Sequence, residues 1–314
     1  MVILVGIDGL TGNAKAPNSS YAGSFIDRLT TNWPDKQWAK YVAGPGVVSN
    51  VVGTGAIAYR TAMNMKYSLQ NPGTCGLILA GYSQGAASAI VAARMLKKAG
   101  VKVDCLAMFD GIDRDVAAGT TFVPDNVQYT IHGMRSSSSG SRPLWGNCGW
   151  VVPNKKFHFY LKMTHWGAGG VPLYRGLPPG VQPTALVTET DYRTNQPRQT
   201  KVTWQEDLAA AQLLWTIMNA HIMDVYSKCE QGCNVPRAGV NHTVAKGESL
   251  SLIAVKYWQD MTLWPLIYDA NKAKIGTDYN LITPGQTLVI PDIKSFTQAE
   301  LDAARARHRN WKAA

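Results

Sequence analysis

The sequence predicts an α/β protein whose mainly parallel sheet is doubly wound, with helices on both faces. Five apolar runs rich in β-branched residues predict strands, at 2–7, 76–81, 103–109, 127–133 and 157–163. The segments between them have apolar residues that recur at three and four positions, which indicates helices. Strands that alternate with helices are typical of a parallel sheet covered on both sides.

A second, smaller domain is predicted after the last long helix of this part, which covers 203–228. About fifty residues there read strand, helix, helix, strand, with Gly247 and the pair Pro284-Gly285 at the turns. A capping box of Thr297 and Glu300 would begin a further helix. The predicted organisation is a first domain at 1–228, a linker at 229–241, the small domain at 242–292 and a C-terminal helical tail at 293–314.

Composition and charge restrict the classes of protein. The chain has 314 residues, 46% of them hydrophobic, and no apolar run approaches the roughly 18 residues of a membrane span. Met1 leads directly into an apolar strand without a basic leader, so we expect no signal peptide. The net charge of +10 is spread along the chain and fits either a solvated basic surface or attraction to an anionic envelope. No nucleic-acid motif accompanies it.

The cysteines give no disulfide framework, because there are five of them without regular spacing. Cys229 and Cys233 are close enough in the sequence to close a small loop if oxidised. Two further metal ligands are not found nearby, so the pair predicts a local disulfide or two free thiols. We expect neither a metal nor a cofactor.

Ser83 is the candidate nucleophile. It is the centre of a Gly-x-Ser-x-Gly pattern, with the apolar run "GLILAG" before it and the helical pattern "AASAIVAARMLKKAG" after it. A buried strand before the serine and a helix after it are the context of a nucleophile elbow. Gly81 and Gly85 fit a turn so sharp that side chains there would collide.

A serine hydroxyl needs a base, and His165 is the best candidate among the six histidines. It lies in the glycine-rich loop "KMTHWGAGG", just after a predicted strand. The other histidines fall within strand patterns, on the long helix or outside the first domain: His132, His158, His221, His242 and His308.

The acid that orients the base is predicted to be Asp110. It ends the strand pattern "CLAMF", and open α/β sheets place their sites at the carboxyl ends of strands. Asp113 and Asp115 follow closely and are alternatives, as orienting acid or as helix caps.

An oxyanion site requires two backbone N–H groups. The residue after the nucleophile, Gln84, would give one of them. The glycine-rich loop "GIDGLTGN" after the first strand would give the other, from Gly9 or Leu10. Asp8 would either brace this loop through backbone N–H groups or be a simple turn aspartate.

Several stretches carry a resemblance to known esterases. "AGYSQGAASAIVAA" resembles the elbow of cutinases and of the phage lysin B esterases. Over about residues 2–170, "VGIDGLTGN", "LAMFDGIDRD" and "THWGAGGVP" resemble the bacterial α/β hydrolases that include lipase effectors of type VI secretion. The resemblance implies an α/β-hydrolase fold with Ser83, Asp110 and His165 as a serine-hydrolase triad.

The small domain resembles LysM domains through "HTVAKGESLSLIAVKY", "WPLIYDANK" and "LITPGQTLVIP". Such domains bind the N-acetylglucosamine-containing glycan of peptidoglycan or chitin, and some serve as connectors in phage tails. The resemblance implies a binding groove bordered by two loops. Their residues are Gly247, Glu248, Ser249 and Leu250 in the first and Leu281, Ile282, Pro284 and Gly285 in the second.

The leading hypothesis is a serine ester hydrolase that acts on bacterial cell-envelope esters, a lipid or mycolyl ester, and is targeted to peptidoglycan by its LysM module. Acting at the envelope without a signal peptide, it would be virion-associated and released by lysis, or injected as an effector. Its partners would then include other particle or secretion-machine proteins. A second hypothesis is a structural phage tail or virion protein with an inactive hydrolase scaffold, and an amidase or peptidase is a third.

Overall fold

A computed structural model of the protein describes residues 1–9, 22–46, 50–68, 74–113, 119–141, 148–190, 196–233 and 239–311. The chain divides into two compact units. The sheet unit comprises Val2–Asn64 and Gly76–Glu230. The C-terminal unit comprises Met1, Met65–Cys75 and Gln231–Ala314.

A six-stranded parallel sheet forms the centre of the sheet unit, in the order β2-β1-β3-β4-β5-β6. The central strands β1, β3 and β4 are buried at every position, as parallel strands covered on both faces are. The predicted α/β class and the mainly parallel sheet are confirmed. The strands are β1 (Val2–Ile7), β2 (Ala39–Val42), β3 (Gly76–Tyr82), β4 (Val103–Phe109), β5 (Val127–Arg135) and β6 (Lys155–Leu161).

The sheet has one strand more than the sequence predicts. The additional strand, β2, has only four residues and lies at an edge, so its apolar signal is weak. The other edge strand, predicted at 157–163, begins two residues earlier, at Lys155. Both differences lie at sheet edges, where partial exposure removes the continuous apolar run that marks the central strands.

Helices α1 (Phe25–Thr31) and α6 (Trp204–Cys233) cover one face of the sheet. The ring of Phe25 lies 5.6 Å from that of Phe109 on β4 and 5.4 Å from that of Trp215 on α6. One continuous apolar layer therefore joins strand and helices, and each large side chain buried in it contributes about 2–3 kcal/mol.

Helix α3 (Gln84–Lys98) packs on the opposite face. A Cβ placed on Gly81 would lie 2.5 Å from the backbone of Ala86 in α3, whereas Tyr82 belongs to the apolar layer on the other face. Successive strand residues point to opposite faces, so the two sides have different helices. Helix α2 (Val51–Lys66) lies beside α3, since a Cβ on Gly55 would meet Val91 at 2.7 Å.

After β6 the chain forms two short helices and an antiparallel hairpin before α6. The short helices are α4 (His165–Ala168) and α5 (Val171–Arg175). The hairpin consists of β7 (Leu186–Thr190) and β8 (Pro197–Thr203). Residues of β7 alternate between exposed and buried, which turns Val187 and Glu189 inward. This hairpin was not predicted.

The first residues of the predicted linker 229–241 are helical, because α6 continues through Cys233. The next strand begins at Gly239, so both ends of the predicted linker belong to regular elements. The run of good helix formers before Gly232 extends the helix beyond the expected end at 228. No helix in the described part of the chain combines the length and apolarity needed to cross a membrane.

Of the two alternatives for Cys229 and Cys233, the local disulfide is excluded, because Cys229 is a free thiol. Cys105 and Cys148 are free and buried as well. Burial raises the pKa of Cys229 to about 11, which keeps this thiol protonated at neutral pH. Cys75, in contrast, is disulfide-bonded.

The C-terminal unit has the predicted strand, helix, helix, strand order. Strands β9 (Gly239–Thr243) and β10 (Thr287–Pro291) pair antiparallel, with α7 (Leu250–Trp258) and α8 (Trp264–Ile275) between them. The two helices and the two strands enclose one apolar core: Val244, Leu250, Ile253, Ala254, Trp264, Ile267, Tyr268, Ile275, Leu288 and Ile290.

The predicted tail forms helix α9 (Gln298–Trp311), which packs against α8 and the turn before it. Its capping box is present, since Thr297 N donates to Glu300 Oε2 at 2.7 Å and Glu300 N to Thr297 Oγ1 at 3.3 Å. Trp264 Nε1 donates to His308 Nδ1 at 3.0 Å in a buried contact. Ala304 completes an apolar cluster with Leu263 and Leu266.

We predict that His308→Ala destabilises the C-terminal unit, because it removes the buried acceptor of Trp264 Nε1. Hydrogen exchange of the α8 amides in the full chain should report a free energy of opening lower by about 1–3 kcal/mol. Arg309→Ala, an exposed neighbour on the same helix, is the control and should change it by less than about 0.5 kcal/mol. Equal exchange rates in both variants would show that the bond is unimportant.

Candidate active site

The polar edge of the sheet unit lies where the strand order reverses. From β1 the chain continues to β2 on one side, whereas from β3 it continues to β4 on the other side. Open α/β sheets bind ligands at such a point, outside the carboxyl ends of the strands. Asp8 and Gly9 follow β1, Ser83 follows β3 and Asp110 follows β4. The fold thus gathers most of the predicted site at one edge.

Ser83 is the single residue between β3, which ends at Tyr82, and α3, which begins at Gln84. Its backbone has φ 54° and ψ −124°, on the left-handed side that L-residues rarely adopt. A strained conformation of this kind persists only where the surrounding structure enforces it, and it is concentrated at functional sites.

The two glycines of the pattern are required by close backbone contacts. A Cβ on Gly81 would lie 2.5 Å from the backbone nitrogen of Ala86. A Cβ on Gly85 would lie 2.2 Å from the carbonyl oxygen of Asp8 and 2.3 Å from that of Ile7. The start of α3 therefore rests directly on the end of β1, which fixes where the Ser83 side chain points.

The structure brings Ser83, His165 and Asp110 together. Ser83 Oγ is 2.9 Å from His165 Nε2, and His165 Nδ1 is 2.6 Å from Asp110 Oδ2. All three residues are buried, with relative exposures of 7%, 7% and 1% in that order. Asp110, like Ser83, has a positive φ, here 45°, so two left-handed residues face the same histidine.

The charges around the site fix its protonation state. Burial alone would raise the pKa of Asp110, but the Arg135 guanidinium and His165 outweigh it and lower the pKa to about 2. Burial lowers the pKa of His165, and Arg135 adds to this effect, whereas Asp110 and Glu189 oppose it. Near neutral pH the aspartate is charged and the imidazole is neutral, so Nε2 can accept the proton of Ser83.

The loop that carries His165 is held on both sides. Thr164 caps α4 by accepting from Gly167 N at 3.0 Å. Asp207 of α6 accepts from Thr164 N and Oγ1, both at 2.7 Å, and burial raises the pKa of Asp207 to about 6. On the other side the Tyr82 hydroxyl donates to the His165 carbonyl at 2.7 Å, and the two rings stack with centroids 5.1 Å apart.

Two residues that the sequence did not suggest, Arg135 and Glu189, contact Asp110 and His165. Arg135 ends β5 and is 3% exposed. Its Nε lies 3.2 Å from Asp110 Oδ2 and forms an ion pair without hydrogen-bond alignment. The backbone N–H of Arg135 donates to Asp110 Oδ1 at 3.3 Å. Glu189 of the hairpin accepts the N–H of His165. The position of Arg135 at the carboxyl end of a strand beside that of Asp110 was the available signal.

The predicted oxyanion donors are met only in part. Gly9 lies against Ser83, since a Cβ on it would be 3.3 Å from Ser83 Cβ. Its N–H, however, donates to Asp8 Oδ1 at 2.9 Å and is therefore not directed at the serine. Gln84 follows the serine as expected, at the start of α3, whereas Leu10 lies outside the described residues.

Asp8 braces the loop after β1, one of the two roles considered for it. Its carboxylate accepts from Gly9 N, from Ser24 Oγ at 2.6 Å and from the Tyr41 hydroxyl at 3.1 Å. Burial raises the pKa of Asp8 to about 6 in spite of these bonds. Because the Gly9 N–H donates to the preceding side chain, Leu10 remains as the other predicted donor.

The alternative acids and bases have other partners. Asp113 accepts from Thr120 Oγ1, and Asp115 lies outside the described residues. His132 accepts from Gly111 N at 2.9 Å, and burial lowers its pKa to about 3. His221 bonds the Tyr129 hydroxyl at 2.6 Å. Nowhere in the described part do three His, Cys, Asp or Glu side chains converge as a metal ion would require.

The two loops predicted to border a groove in the C-terminal unit lie side by side. Val244 N donates to Gln286 O at 2.9 Å, and Gly285 N donates to Val244 O at 2.8 Å. Gly247 and Gly285 have φ of 86° and 89°, with open space where a Cβ would be. Leu281 is 65% exposed, and Pro284 is exposed as well.

Other members of the predicted groove have contacts within the domain. Leu250 lies in the predicted first loop, but its side chain is 4% exposed and belongs to the core. Ile282 is partly buried against that core. Glu248 Oε2 accepts from Ala245 N at 2.7 Å and lies 2.8 Å from His242 Nε2, and Ser249 caps α7. Glu248 and Ser249 therefore stabilise the first loop.

Comparison with known families confirms the second resemblance: residues 242–291 match the family model of the LysM domain. Among solved structures, the chain is similar to the Tle1 effector bound to the VgrG spike from the type 6 secretion system. That likeness has 14% identity and a TM-score of 0.31 and covers 54% of this chain and 51% of the other, so the chain spans about half of its length. A likeness this weak carries no argument. No curated protein matches the chain.

We predict that Gly85→Ala disrupts the turn at Ser83. The new methyl group would meet the backbone carbonyls of Ile7, the last residue of β1, and of Asp8, so the free energy of unfolding should fall by roughly 2 kcal/mol or more. Gly53→Ala is a matched control at the start of α2, where the atoms nearest to the methyl group would belong to the side-chain amide of Asn50 and not to the backbone. Urea unfolding should show a change below about 1 kcal/mol for the control.

Proposed function

We propose that the protein is a serine ester hydrolase that acts on bacterial cell-envelope esters. The observation that carries the proposal is the buried hydrogen-bonded series from Ser83 Oγ through His165 to Asp110. Nucleophile, orienting acid and base follow one another along the chain in the order found in α/β hydrolases. Each comes directly or shortly after a parallel strand. The turn at Ser83, with helix α3 behind it, favours an α/β-hydrolase fold.

In the first half of the reaction, Ser83 Oγ attacks the carbonyl carbon of the ester while His165 Nε2 accepts the hydroxyl proton. Asp110 keeps the imidazole in position and stabilises its charged form. The N–H of Gln84 and one from the loop after β1, with Leu10 as the candidate, would stabilise the oxyanion. The carbon–oxygen bond of the ester breaks, and the alcohol leaves with the proton from His165.

In the second half, water attacks the acyl-serine. His165 now accepts a proton from the water and returns one to Ser83 Oγ as the acyl bond breaks. The carboxylic acid is released, and the site regains its starting protonation.

The LysM domain would bring this chemistry to the cell wall by binding N-acetylglucosamine-containing glycan of peptidoglycan. The groove would use the exposed parts of the two loops, around Gly247 and between Leu281 and Gly285. An envelope lipid or a mycolyl ester is then the substrate class within reach. The net charge of +10 favours approach to an anionic envelope surface. Delivery by lysis of a virion-producing cell or by injection through a secretion machine fits this place of action.

A structural role is the second candidate, in which an inactive hydrolase scaffold is attached through LysM within a phage particle. One observation favours it: the Gly9 N–H, a natural second oxyanion donor, is bound to Asp8. The two candidates differ in a simple comparison. Both predict peptidoglycan pull-down by the full chain, whereas only the enzyme hydrolyses esters.

We predict that Ser83→Ala lowers kcat for p-nitrophenyl butyrate by roughly 10³-fold or more, because the nucleophile is lost. Ser88→Ala in α3 is the matched control, since Ser88 Oγ is buried and has no hydrogen-bond partner among the described residues. The control should keep activity within about threefold. Equal and negligible activity in the wild type and both variants would support the structural candidate.

We predict that kcat/KM falls toward acid with a midpoint below 6.5, the ordinary pKa of histidine. Protonated His165 cannot accept the proton of Ser83, and burial lowers the pKa at which it becomes protonated. Asp110, with a pKa of about 2, stays charged through this range. Initial rates with the same ester across the pH range give the profile, and a midpoint above about 7 would contradict the assignment of the base.

A further inference from the structure

We infer that Glu189 is a positioning residue for His165, and that Glu189, Ser141 and Arg135 form a brace around the Asp110–His165 pair. The inference rests on the proposed function and extends it to residues outside the series of three. It assigns a role to the β7–β8 hairpin, which otherwise has no part in the site.

The contacts of the brace are continuous. The N–H of His165 lies 3.1 Å from Glu189 Oε1 and 3.1 Å from Ser141 Oγ. Ser141 Oγ donates to Glu189 Oε2 at 2.7 Å and accepts from Arg135 Nη1 at 3.0 Å. Arg135 in turn pairs with Asp110. The Ser141 hydroxyl thus uses its one proton and both of its acceptor sites within the brace.

Burial makes these contacts specific. Glu189 is 1% exposed and Arg135 is 3% exposed, so neither charge is screened by water. A buried carboxylate of this kind is found only where charge or hydrogen bonds compensate it. The alternation of β7 turns Glu189 inward, and its carboxylate reaches the backbone N–H of His165, the first residue of α4. The hairpin is held to the base loop through this carboxylate.

The charges of the brace favour the reactive state of His165. Asp110 and Glu189 are two buried acidic side chains that contact His165, one at its ring and one at its backbone N–H. Both favour the positively charged imidazole, which exists once His165 has accepted the proton of Ser83. A site arranged in this way stabilises the charged form that exists only during the reaction. Consistent with this, Glu189 and Asp110 raise the pKa of His165, opposing burial and Arg135.

The charged and titratable groups that face His165 come from several elements of the sheet unit. Asp207 acts through Thr164, and Tyr82 bonds the His165 carbonyl. Among the described residues these groups are Asp110 after β4, Arg135 from β5, Glu189 from β7, Asp207 from α6 and Tyr82 from β3.

The test is Glu189→Gln in the full chain, which keeps the shape of the side chain and removes its charge. The titration of the His165 ring, followed by NMR, should move to lower pH by roughly 0.5 or more. Asp224→Asn removes one exposed negative charge from α6 and should leave that titration unchanged. An unchanged midpoint in Glu189→Gln would overturn the inference.

Kinetics give a second measure. Glu189→Gln should lower kcat about tenfold and change KM less than about twofold, because the base is misplaced and its charged form is less stabilised. A kcat within about twofold of the wild type would count against the brace. The NMR titration does not depend on turnover, so a shifted His165 in a chain that hydrolyses no ester would leave the brace standing and remove the proposed function.

Circular dichroism would show whether Glu189→Gln folds. If it does not, Ser141→Ala replaces it as the test, since this change removes the link between Arg135 and Glu189 and one acceptor of the His165 N–H. We expect kcat to fall about three- to tenfold with KM nearly constant. Full activity of a folded Ser141→Ala would contradict the brace.

Discussion

The burial of the Asp110 carboxylate is the constraint on which the polar edge of the sheet depends. An anion withdrawn from water must be matched by opposite charge and by hydrogen bonds. Arg135 supplies the charge and His165 a hydrogen bond, and each is itself held by other buried groups. These groups come from β4, β5, the base loop and the hairpin. The edge is therefore complete only when distant parts of the chain have assembled.

The sequence predicted the central strands and the three residues at the candidate site, for related physical reasons. Strands buried on both faces are continuous apolar runs, and the first polar residues after them lie at the sheet edge where ligands bind. Ser83 and Asp110 follow such runs directly, and His165 follows β6 within a few residues. The LysM domain was predicted through the resemblance of three stretches to that family, and the match to the family model covers the same segment.

The remaining features depend on the three-dimensional arrangement. Arg135 and Glu189 are charged residues that a sequence alone assigns to the surface, and their burial follows from pairing with groups far away in the chain. β2 and the hairpin are short or half-exposed, which leaves too weak an apolar period to detect. The sequence made the Gly9 N–H a candidate oxyanion donor, but in the structure this N–H donates to the side chain of its neighbour Asp8. Leu250 lies at the loop boundary but also at an apolar position of α7, and the core determined its place.

Helix α9 packs on the LysM domain, although it lies beyond the residues that match the family model. The LysM match ends at residue 291, yet α9 covers the side of α8 that contains Trp264 and Leu266. Asp269 of α8 also forms a bidentate ion pair with Arg307. The folding unit is therefore larger than the family boundary. A protein engineer who wished to transplant this module onto another cargo as a wall-targeting tag would need to carry α9 along with it.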